Sequence, residues 1–345
     1  MTDRMSYEKA GVSIDTADAA KREMAKALAT ADPRVLNRLG AFASLFEAGF
    51  PGLRRPVLVL KTEEPGSKQK LAFAHGRVES ICQDMVNHLV NDIAVMGATP
   101  LSVQDCIVCG KLDKDIVTRI VAAIAAACRR QGCTLTGGET SEQPGVIEPG
   151  TYILTSSIVG VVDHDRIIDG LRIAEGDVVL AAASNGLHTN GYSLVRALMA
   201  RRPEIMNETV EGASFLDALL RPHRCYYQAI KGMFDWPELH GLAHITGGGV
   251  QDNLNRILPA GLDAAIDAAA IRILPIFKLI RRFGDVSDAD MLRTFNLGVG
   301  LTLVVSPASA DRAAAHLAGQ GVEAYPIGQI VPGNKTVVYR GGLNW

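Results

Sequence analysis

The chain has 345 residues, with 35 basic and 37 acidic side chains and a formal net charge of −2. This balance offers no overall attraction for nucleic acid or an anionic membrane, so an anionic ligand must be held locally. The N-terminal segment has no apolar signal region, no apolar run is long enough to cross a bilayer, and the six cysteines lack framework spacing. These features predict a cytoplasmic protein without nucleic-acid or membrane partners.

The length exceeds the usual limit for one hydrophobic core, and a hydrophobic fraction of 48% can fill two. Hydrophobic periodicity predicts a mixed α/β unit in the N-terminal half. Its elements, in chain order, are helix 17–30, strand 55–60, helix 77–96, strand 101–108, helix 114–130, strand 133–136 and strand 151–162.

A second α/β unit follows a charged connection. Its predicted elements are strand 177–182, helices 191–200 and 222–233, a helix after Gly249, and strand 300–305. We place the boundary near residue 170, which divides the chain into an N-terminal domain of residues 1–170 and a C-terminal α/β domain of residues 171–345.

Asp92 is the most informative residue of the predicted helix 77–96. It falls on the same helical stripe as Met85, Leu89 and Met96, where a soluble helix buries hydrocarbon. An unpaired buried carboxylate costs several kcal/mol, so Asp92 must be paired, hydrogen-bonded, neutralised or bound to a metal. His88, four residues earlier, is one possible partner.

Four polar blocks punctuated by glycine lie between the predicted elements, at residues 62–68, 137–145, 186–191 and 244–249. Glycine lets backbone N–H groups approach an anion closely, and a helix after Gly249 would add its positive end. The blocks therefore indicate phosphate binding. None matches the Walker A or the dinucleotide-binding pattern.

Three acidic residues, Glu63, Asp92 and Glu139, lie in or beside these blocks. Carboxylate oxygens of this kind hold Mg²⁺, which bridges them to substrate phosphates. For each acid alone a solvated or capping role is as good an explanation, but the set favours a metal site. His188 precedes a predicted helix and is placed either to act as a turn residue or to contact phosphate and transfer a proton.

In order along the chain, the motifs YEKAGVSID (7–15), VND (90–92), GATP (97–100), GKLD (110–113), GGET (137–140), GLHTNGYSL (186–194), HITGGG (244–249) and RTFNLGVG (293–300) form a specific set. This set resembles the family of phosphoribosylformylglycinamidine cyclo-ligases, the aminoimidazole ribonucleotide synthetases of purine biosynthesis. The resemblance covers nearly the whole chain.

The resemblance implies a two-domain α/β fold that forms a homodimer, in which the N-terminal domains contribute strands to a shared barrel. It also implies ATP in a cleft near the dimer interface and a phosphoribosyl nucleotide as the small-molecule substrate. The implied reaction activates an amide oxygen with the γ-phosphate of ATP and then closes a ring with loss of phosphate, which requires Mg²⁺ and amide donors.

The polar blocks and this resemblance together predict the site residues. The predicted catalytic residues are His188, Asp92 and Lys68, and the predicted Mg²⁺ ligands are Glu63, Asp92 and Glu139. The predicted ATP- and phosphate-binding residues are Thr62, Gly66, Ser67, Lys68, Asn91, Gly137, Gly138, Thr140, Asn190, Gly247, Gly248 and Gly249.

The chain departs from the family pattern at several positions. Where the family has Thr-Asp-Gly-Val-Gly-Thr-Lys, residues 62–68 read Thr-Glu-Glu-Pro-Gly-Ser-Lys, which is stiffer and more acidic. Residues 221–223 read Arg-Pro-His in place of Glu-Pro-Thr. Two alternatives therefore stay open: a related ATP-dependent enzyme acting on another small molecule, and a non-catalytic nucleotide-binding subunit.

Overall fold

The computed structural model describes residues 13–29, 32–36 and 42–345. Contacts divide the chain into two compact units: unit 1 comprises Met1–Val90 and Pro100–Val161, and unit 2 comprises Asn91–Thr99 and Val162–Trp345. The predicted division at residue 170 stays a prediction, since units defined by contacts need not be continuous in sequence. Residues 7–12 of the first motif lie outside the described residues.

In the part of the chain that is described, no helix is both long and apolar enough to cross a membrane. The mixed α/β class predicted from sequence is confirmed.

Unit 1 is built mainly around a sheet of four strands in the order β1-β4-β2-β3 among the described residues. Its elements are α1 (Ile14–Leu28), β1 (Pro56–Glu63), α2 (Lys68–Ala74), α3 (Val78–Ala94), β2 (Thr99–Cys109), α4 (Lys114–Gln131), β3 (Thr134–Glu142) and β4 (Tyr152–Asp163). Strands β2 and β3 are parallel, and α4 supplies the crossover that a parallel pair requires.

Helix α4 shows how the sequence sets these boundaries. The Asp113 side chain accepts hydrogen bonds from the N–H groups of Asp115 and Ile116 at its start. Gly132 ends the helix in the left-handed conformation, with φ of +76°. The helix buries an apolar face and packs against α1.

Two of the four predicted loops are wrong in part. Thr62 and Glu63 end strand β1, Lys68 begins α2, and β3 continues through the glycines to Glu142. The continuation has a tertiary cause: Gly138 pairs in register with Asp105 of β2, and a Cβ on Gly138 would lie 2.1 Å from Asp105 Oδ1. The glycine therefore allows close packing of the strands here instead of forming a turn.

Unit 2 contains a larger sheet with the order β12-β9-β11-β5-β10-β8 in the described residues. Its strands are β5 (Val178–Ala183), β6 (Thr209–Val210), β7 (Ala213–Ser214), β8 (Leu239–His244), β9 (Leu262–Asp267), β10 (Val299–Val305), β11 (Ala324–Pro332) and β12 (Val337–Arg340). Its helices are α5 (Tyr192–Arg201), α6 (Phe215–Leu219), α7 (Tyr227–Ile230), α8 (Gly249–Leu254), α9 (Pro275–Gly284), α10 (Asp288–Thr294) and α11 (Ala310–Gly319).

Strand β10 marks the core of unit 2, since all seven of its residues are buried between antiparallel β5 and β8. His244 is the last residue of β8, so its side chain is placed at the end of a buried strand. The predicted loop 186–191 follows strand β5, and of the predicted block 244–249 only residues 245–248 form a loop, because His244 ends β8, a strand that the sequence did not predict, and Gly249 begins α8.

The predicted helix 222–233 is wrong over its first half. Helix α7 covers only Tyr227–Ile230, a short 3-10 turn (Lys231–Met233) follows, and residues 221–226 are not helical. Pro222 disfavours helix in this stretch, and the Asn91 side chain binds the backbone of Arg224 and Tyr226. These contacts satisfy groups that a helix would otherwise pair internally.

Candidate active site

Asn91 is fully buried near the end of α3 and fixes the segment before α7. Its Oδ1 accepts a hydrogen bond from Tyr226 N at 2.7 Å, and its Nδ2 donates to Arg224 O at 2.9 Å. Because one contact needs an acceptor and the other a donor, the amide orientation is determined. Asn91 is therefore a scaffold residue, and its contact with ATP stays a prediction.

The neighbouring carboxylate, Asp92, is bound to a histidine. Asp92 Oδ1 lies 2.7 Å from His244 Nδ1, and the Asp92 side chain keeps 18% of its exposure. An ionised carboxylate only accepts, so His244 donates through Nδ1, which in a neutral ring places the lone pair on Nε2. Of the possibilities for Asp92, hydrogen bonding is the one present here, and its role as a Mg²⁺ ligand stays a prediction.

The pairing of His88 with Asp92 stays a prediction. His88 Nε2 lies 3.8 Å from a carboxylate oxygen of Glu63 at the end of β1. Lys61 Nζ is closer to the same oxygen of Glu63, at 3.0 Å. Glu63 is therefore flanked by basic groups that compete with a metal ion for its carboxylate.

His188 lies in the loop before α5, where it is 1% exposed and adopts a left-handed backbone with φ of +60°. Its Nε2 is 3.1 Å from Asn185 Oδ1, which accepts a hydrogen bond from it. Gly300 of β10 permits this packing, since a Cβ there would lie 2.8 Å from the His188 ring. A strained backbone at a buried polar residue is typical of functional sites.

His223 belongs to the same cluster and was missed by the sequence reasoning. Its ring stacks on His188 with centroids 3.9 Å apart, and its Nε2 lies 3.0 Å from His244 Nε2. Unit 2 thus gathers His188, His223, His244 and Asp92 in one place. The signal was present, because His223 is a departure from the family pattern at residues 221–223.

Lys68 is completely buried in unit 1 and pairs with Asp84 of α3, with Nζ 2.8 Å from Oδ2 and 2.9 Å from Oδ1. Burial lowers the pKa of Lys68, and the attraction of Asp84 opposes that change. The ammonium group therefore neutralises a buried carboxylate. Its predicted contact with phosphate stays a prediction and requires an exchange of partners.

Glu63 and Glu139 lie on the two edge strands of the unit 1 sheet, separated by β4 and β2. Strands β1 and β3 are thus three strand spacings apart, and at about 4.7 Å for each spacing the separation is about 14 Å. One Mg²⁺ ion cannot contact both carboxylates of the same copy over that distance, because its ligand distance is about 2.1 Å. The structure does not bring these two predicted ligands together within one chain.

An open groove of about 1380 Å³ in unit 1 is lined by parts of α1, β2, β3 and β4. The predicted site residues Gly137, Gly138, Glu139 and Thr140 all line it. Glu139 is exposed, so its carboxylate oxygens suit a hard cation such as Mg²⁺. The groove also contains Asp105, a carboxyl that the sequence reasoning did not single out.

The remaining predicted phosphate-binding residues occupy separate places. Thr62 Oγ1 shares a hydrogen bond with Ser157 Oγ at 2.8 Å, Gly66 has a φ of +63°, and Ser67 lies at the start of α2. In unit 2, Asn190 lies beside Gly247, and its buried Nδ2 has no hydrogen-bond partner among the described residues. Gly248 and Gly249 lead into α8, which has only six residues.

Models of two protein-family domains match most of the chain. Residues 54–162 match the N-terminal domain of AIR synthase related protein, and residues 174–341 match its C-terminal domain. The phosphoribosylformylglycinamidine cyclo-ligase of Methylobacillus flagellatus is 42% identical over 327 residues, which is 94% of each chain. The family resemblance found in the sequence is confirmed.

Solved structures share the fold at low identity. Thiamine-monophosphate kinase from Stenotrophomonas maltophilia aligns with a TM-score of 0.67 at 18% identity, covering 94% of this chain and 97% of that one. Hydrogenase maturation protein HypE in complex with ATP aligns with a TM-score of 0.62 at 18% identity, covering 98% and 92%. These likenesses show the fold alone.

The buried carboxyl of Asp105 predicts that the stability of the fold depends on pH. Burial raises the pKa of this carboxyl to about 7, far above its value in an unfolded chain. Between pH 4 and pH 7 the unfolded state therefore loses a proton that the folded state keeps, and the free energy of unfolding falls as pH rises. The shift corresponds to a loss on the order of 4 kcal/mol at most.

Asp105→Asn should remove this contribution, since the amide does not titrate. Urea unfolding of the wild type and the variant at several pH values measures it, with the exposed Asp115→Asn as control. We expect the stability difference between Asp105→Asn and the wild type to grow from pH 4 to pH 7 in favour of the variant. A difference that does not change with pH would show that Asp105 ionises normally.

Proposed function

Because this chain belongs to the phosphoribosylformylglycinamidine cyclo-ligase family, we propose that it cyclises formylglycinamidine ribonucleotide to aminoimidazole ribonucleotide, with conversion of ATP to ADP and phosphate. The observation that carries this proposal is 42% identity extending over 94% of both this chain and the relative from Methylobacillus. The reaction belongs to purine biosynthesis, and we place the enzyme in the cytoplasm.

In this reaction the formyl-derived amide oxygen attacks the γ-phosphorus of ATP, the bond to ADP breaks, the amide nitrogen loses its proton, and an iminophosphate forms. The amidine nitrogen then attacks the activated carbon, loses a proton, and expels the oxygen as phosphate. The protein's work is positioning and electrostatic stabilisation of the moving phosphoryl group. Backbone amides of Gly247, Gly248 and Gly249 and the side chain of Asn190 are the proposed phosphate ligands of unit 2.

Proton transfer is assigned to His188. With Nε2 donating to Asn185, the Nδ1 atom of the neutral ring is the acceptor for the proton lost by the amidine nitrogen. Asp92 and His244 form a second polar pair beside it in unit 2. The left-handed backbone of His188 supports a functional role, since such strain persists where the surroundings enforce it.

Mg²⁺ would spread the charge of the phosphoryl group, and the exposed carboxylate of Glu139 on β3 suits it. We propose that the second ligand, Glu63, comes from another copy. Within residues 13–29, 32–36 and 42–345, β1 and β3 are the edges of the unit 1 sheet, where pairing between copies would occur, and Leu58 and Leu60 of β1 are 54% and 70% exposed. A twofold dimer that closes two such sheets into a barrel would pair β1 with β3 of the second copy.

The altered segment 62–68 favours one alternative, a related ATP-dependent enzyme with a different small-molecule substrate. Glu64 and Pro65 replace a glycine and a valine of the family pattern, so this segment has an added charge and loses a backbone donor. A non-catalytic subunit is less well supported, because unit 2 keeps a buried cluster of His188, His223 and His244, and burying polar groups together costs free energy.

The function is tested by incubating the purified chain with ATP, Mg²⁺ and formylglycinamidine ribonucleotide, measuring ADP and aminoimidazole ribonucleotide in parallel. We expect both products in equal amounts, and His188→Ala should lower kcat by about 10² to 10⁴ with little change in KM for ATP. No ring-closed product with this substrate, together with ADP release on another intermediate, would favour the alternative. A change confined to KM would make His188 a binding residue.

The shared metal site is tested by mixing two inactive variants, Glu63→Gln and Glu139→Gln. After the mixture is unfolded and refolded, half of the dimers contain one copy of each, and one of their two sites has both carboxylates. We expect each variant alone to be inactive and the mixture to regain about a quarter of wild-type activity. An inactive mixture would place each site within one chain.

A further inference from the structure

Three histidines of unit 2 surround one small volume. His188, His223 and His244 each offer a ring nitrogen, and these atoms all lie within 4.8 Å of one another. They come from the loop before α5, the segment before α7 and the end of β8. All three side chains are buried, with exposures of 1%, 1% and 5%.

We propose that this cluster binds a divalent transition metal ion of the Zn²⁺ type. Imidazole nitrogen is a preferred ligand of Zn²⁺, and two such nitrogens in a tetrahedral site lie about 3.3 Å apart. The Nε2 atoms of His223 and His244 are already 3.0 Å apart. A hard ion such as Mg²⁺ would not select this set of nitrogens, since it prefers oxygen ligands.

The hydrogen bonds around the cluster orient its ligand atoms. Asp92 accepts the Nδ1 hydrogen of His244 and thereby directs the Nε2 lone pair of that ring toward His223. Asn185 accepts the Nε2 hydrogen of His188, which leaves Nδ1 as the ligand atom of that ring. A carboxylate or amide behind a ligating histidine is the usual arrangement in zinc sites, where it fixes the tautomer.

Metal binding requires three local adjustments. The Nδ2 of Asn91, which lies 3.3 Å from His223 Nε2 and 3.5 Å from His244 Nε2, must move away from both atoms. The hydrogen between His223 Nε2 and His244 Nε2 must leave, which the Nδ1–H tautomer of His223 allows without a change of charge. The stacked rings of His188 and His223, inclined by 15°, must also open so that both can face the ion. The fourth position is then available to water, as in zinc sites with three histidine ligands.

His223 completes the ligand set. Without its imidazole, two histidines would remain, one fewer than the three protein ligands of open zinc sites.

An ion at this place would occupy His188 Nδ1. If His188 transfers the proton as proposed above, Zn²⁺ would inhibit cyclisation reversibly, and this consequence alone rests on the proposed function. Metal binding itself does not, because it can be measured without any substrate.

The test is titration of the purified, chelator-treated full chain with Co²⁺, followed by displacement with Zn²⁺. We expect one ion per chain with the visible absorption bands of tetrahedral Co²⁺. His223→Thr should weaken Zn²⁺ binding at least about 100-fold, and Asp92→Asn, which acts through His244, should weaken it about 10- to 100-fold. The control His164→Thr removes a half-exposed histidine elsewhere in unit 2 and should leave binding unchanged.

Far-UV circular dichroism establishes that the variants are folded, and His223→Gln replaces His223→Thr if the latter does not fold. A wild type that binds no Co²⁺, or binds it without tetrahedral bands, would overturn the proposal. Equal affinity in the wild type and either His223 variant would also overturn it. Addition of Zn²⁺ to the cyclisation assay then tests inhibition separately: binding without inhibition would refute the role of His188 and leave the metal site intact.

Discussion

The hydrogen bond between Asp92 and His244 is the contact around which the candidate site of unit 2 is arranged. At 2.7 Å it joins the end of α3 to the end of β8, and it sets the tautomer of His244. That tautomer decides which nitrogen faces His223, and His223 in turn stacks on His188. The hydrogen bond from His244 compensates the cost of burying the Asp92 carboxylate. The His223 and His188 rings are placed in turn by their contacts with His244 and with each other.

Asn91 adds a second constraint one residue earlier. By binding the backbone of Arg224 and Tyr226 it keeps the segment before α7 out of helix and holds His223 at its place. Two adjacent polar residues of one helix therefore position parts of the chain more than 130 residues away. Buried polar networks of this kind specify one arrangement, because a partly satisfied alternative leaves desolvated groups without partners.

The sequence predicted the elements whose patterns are local. Helices α3 and α4 and strands β2, β4 and β10 follow from periodicity, within two residues at their ends. It failed where tertiary contacts override local preference: β3 runs through Gly137 and Gly138 because β2 pairs with it, and α7 begins late because of Asn91. Strand order within a sheet, which separates Glu63 from Glu139, is likewise not a local property.

For the site, the sequence identified Asp92 and His188 as unusual but could not supply their partners. The pairing of Asp92 with a histidine 152 residues away, and of Lys68 with Asp84, depends on packing that no spacing rule predicts. His223 was visible as a departure from the family pattern, yet its meaning required the neighbouring rings. The chemistry of a side chain can thus identify it as a candidate site residue, whereas its role depends on the groups that the fold places beside it.

The central claim is that the Asp92 carboxylate serves the chemistry of the site and not merely the stability of the fold. Asp92→Asn keeps the shape and one acceptor for His244 but removes the charge. Asp177→Asn is a matched control, since Asp177 pairs with His240 at the same distance of 2.7 Å elsewhere in unit 2. The decisive measurement is kcat for ADP release with formylglycinamidine ribonucleotide, with thermal unfolding recorded for both variants. We expect Asp92→Asn to stay folded and lose at least about 100-fold in kcat while Asp177→Asn retains its activity. Near-normal turnover in Asp92→Asn, or an equal loss in both variants, would contradict the account.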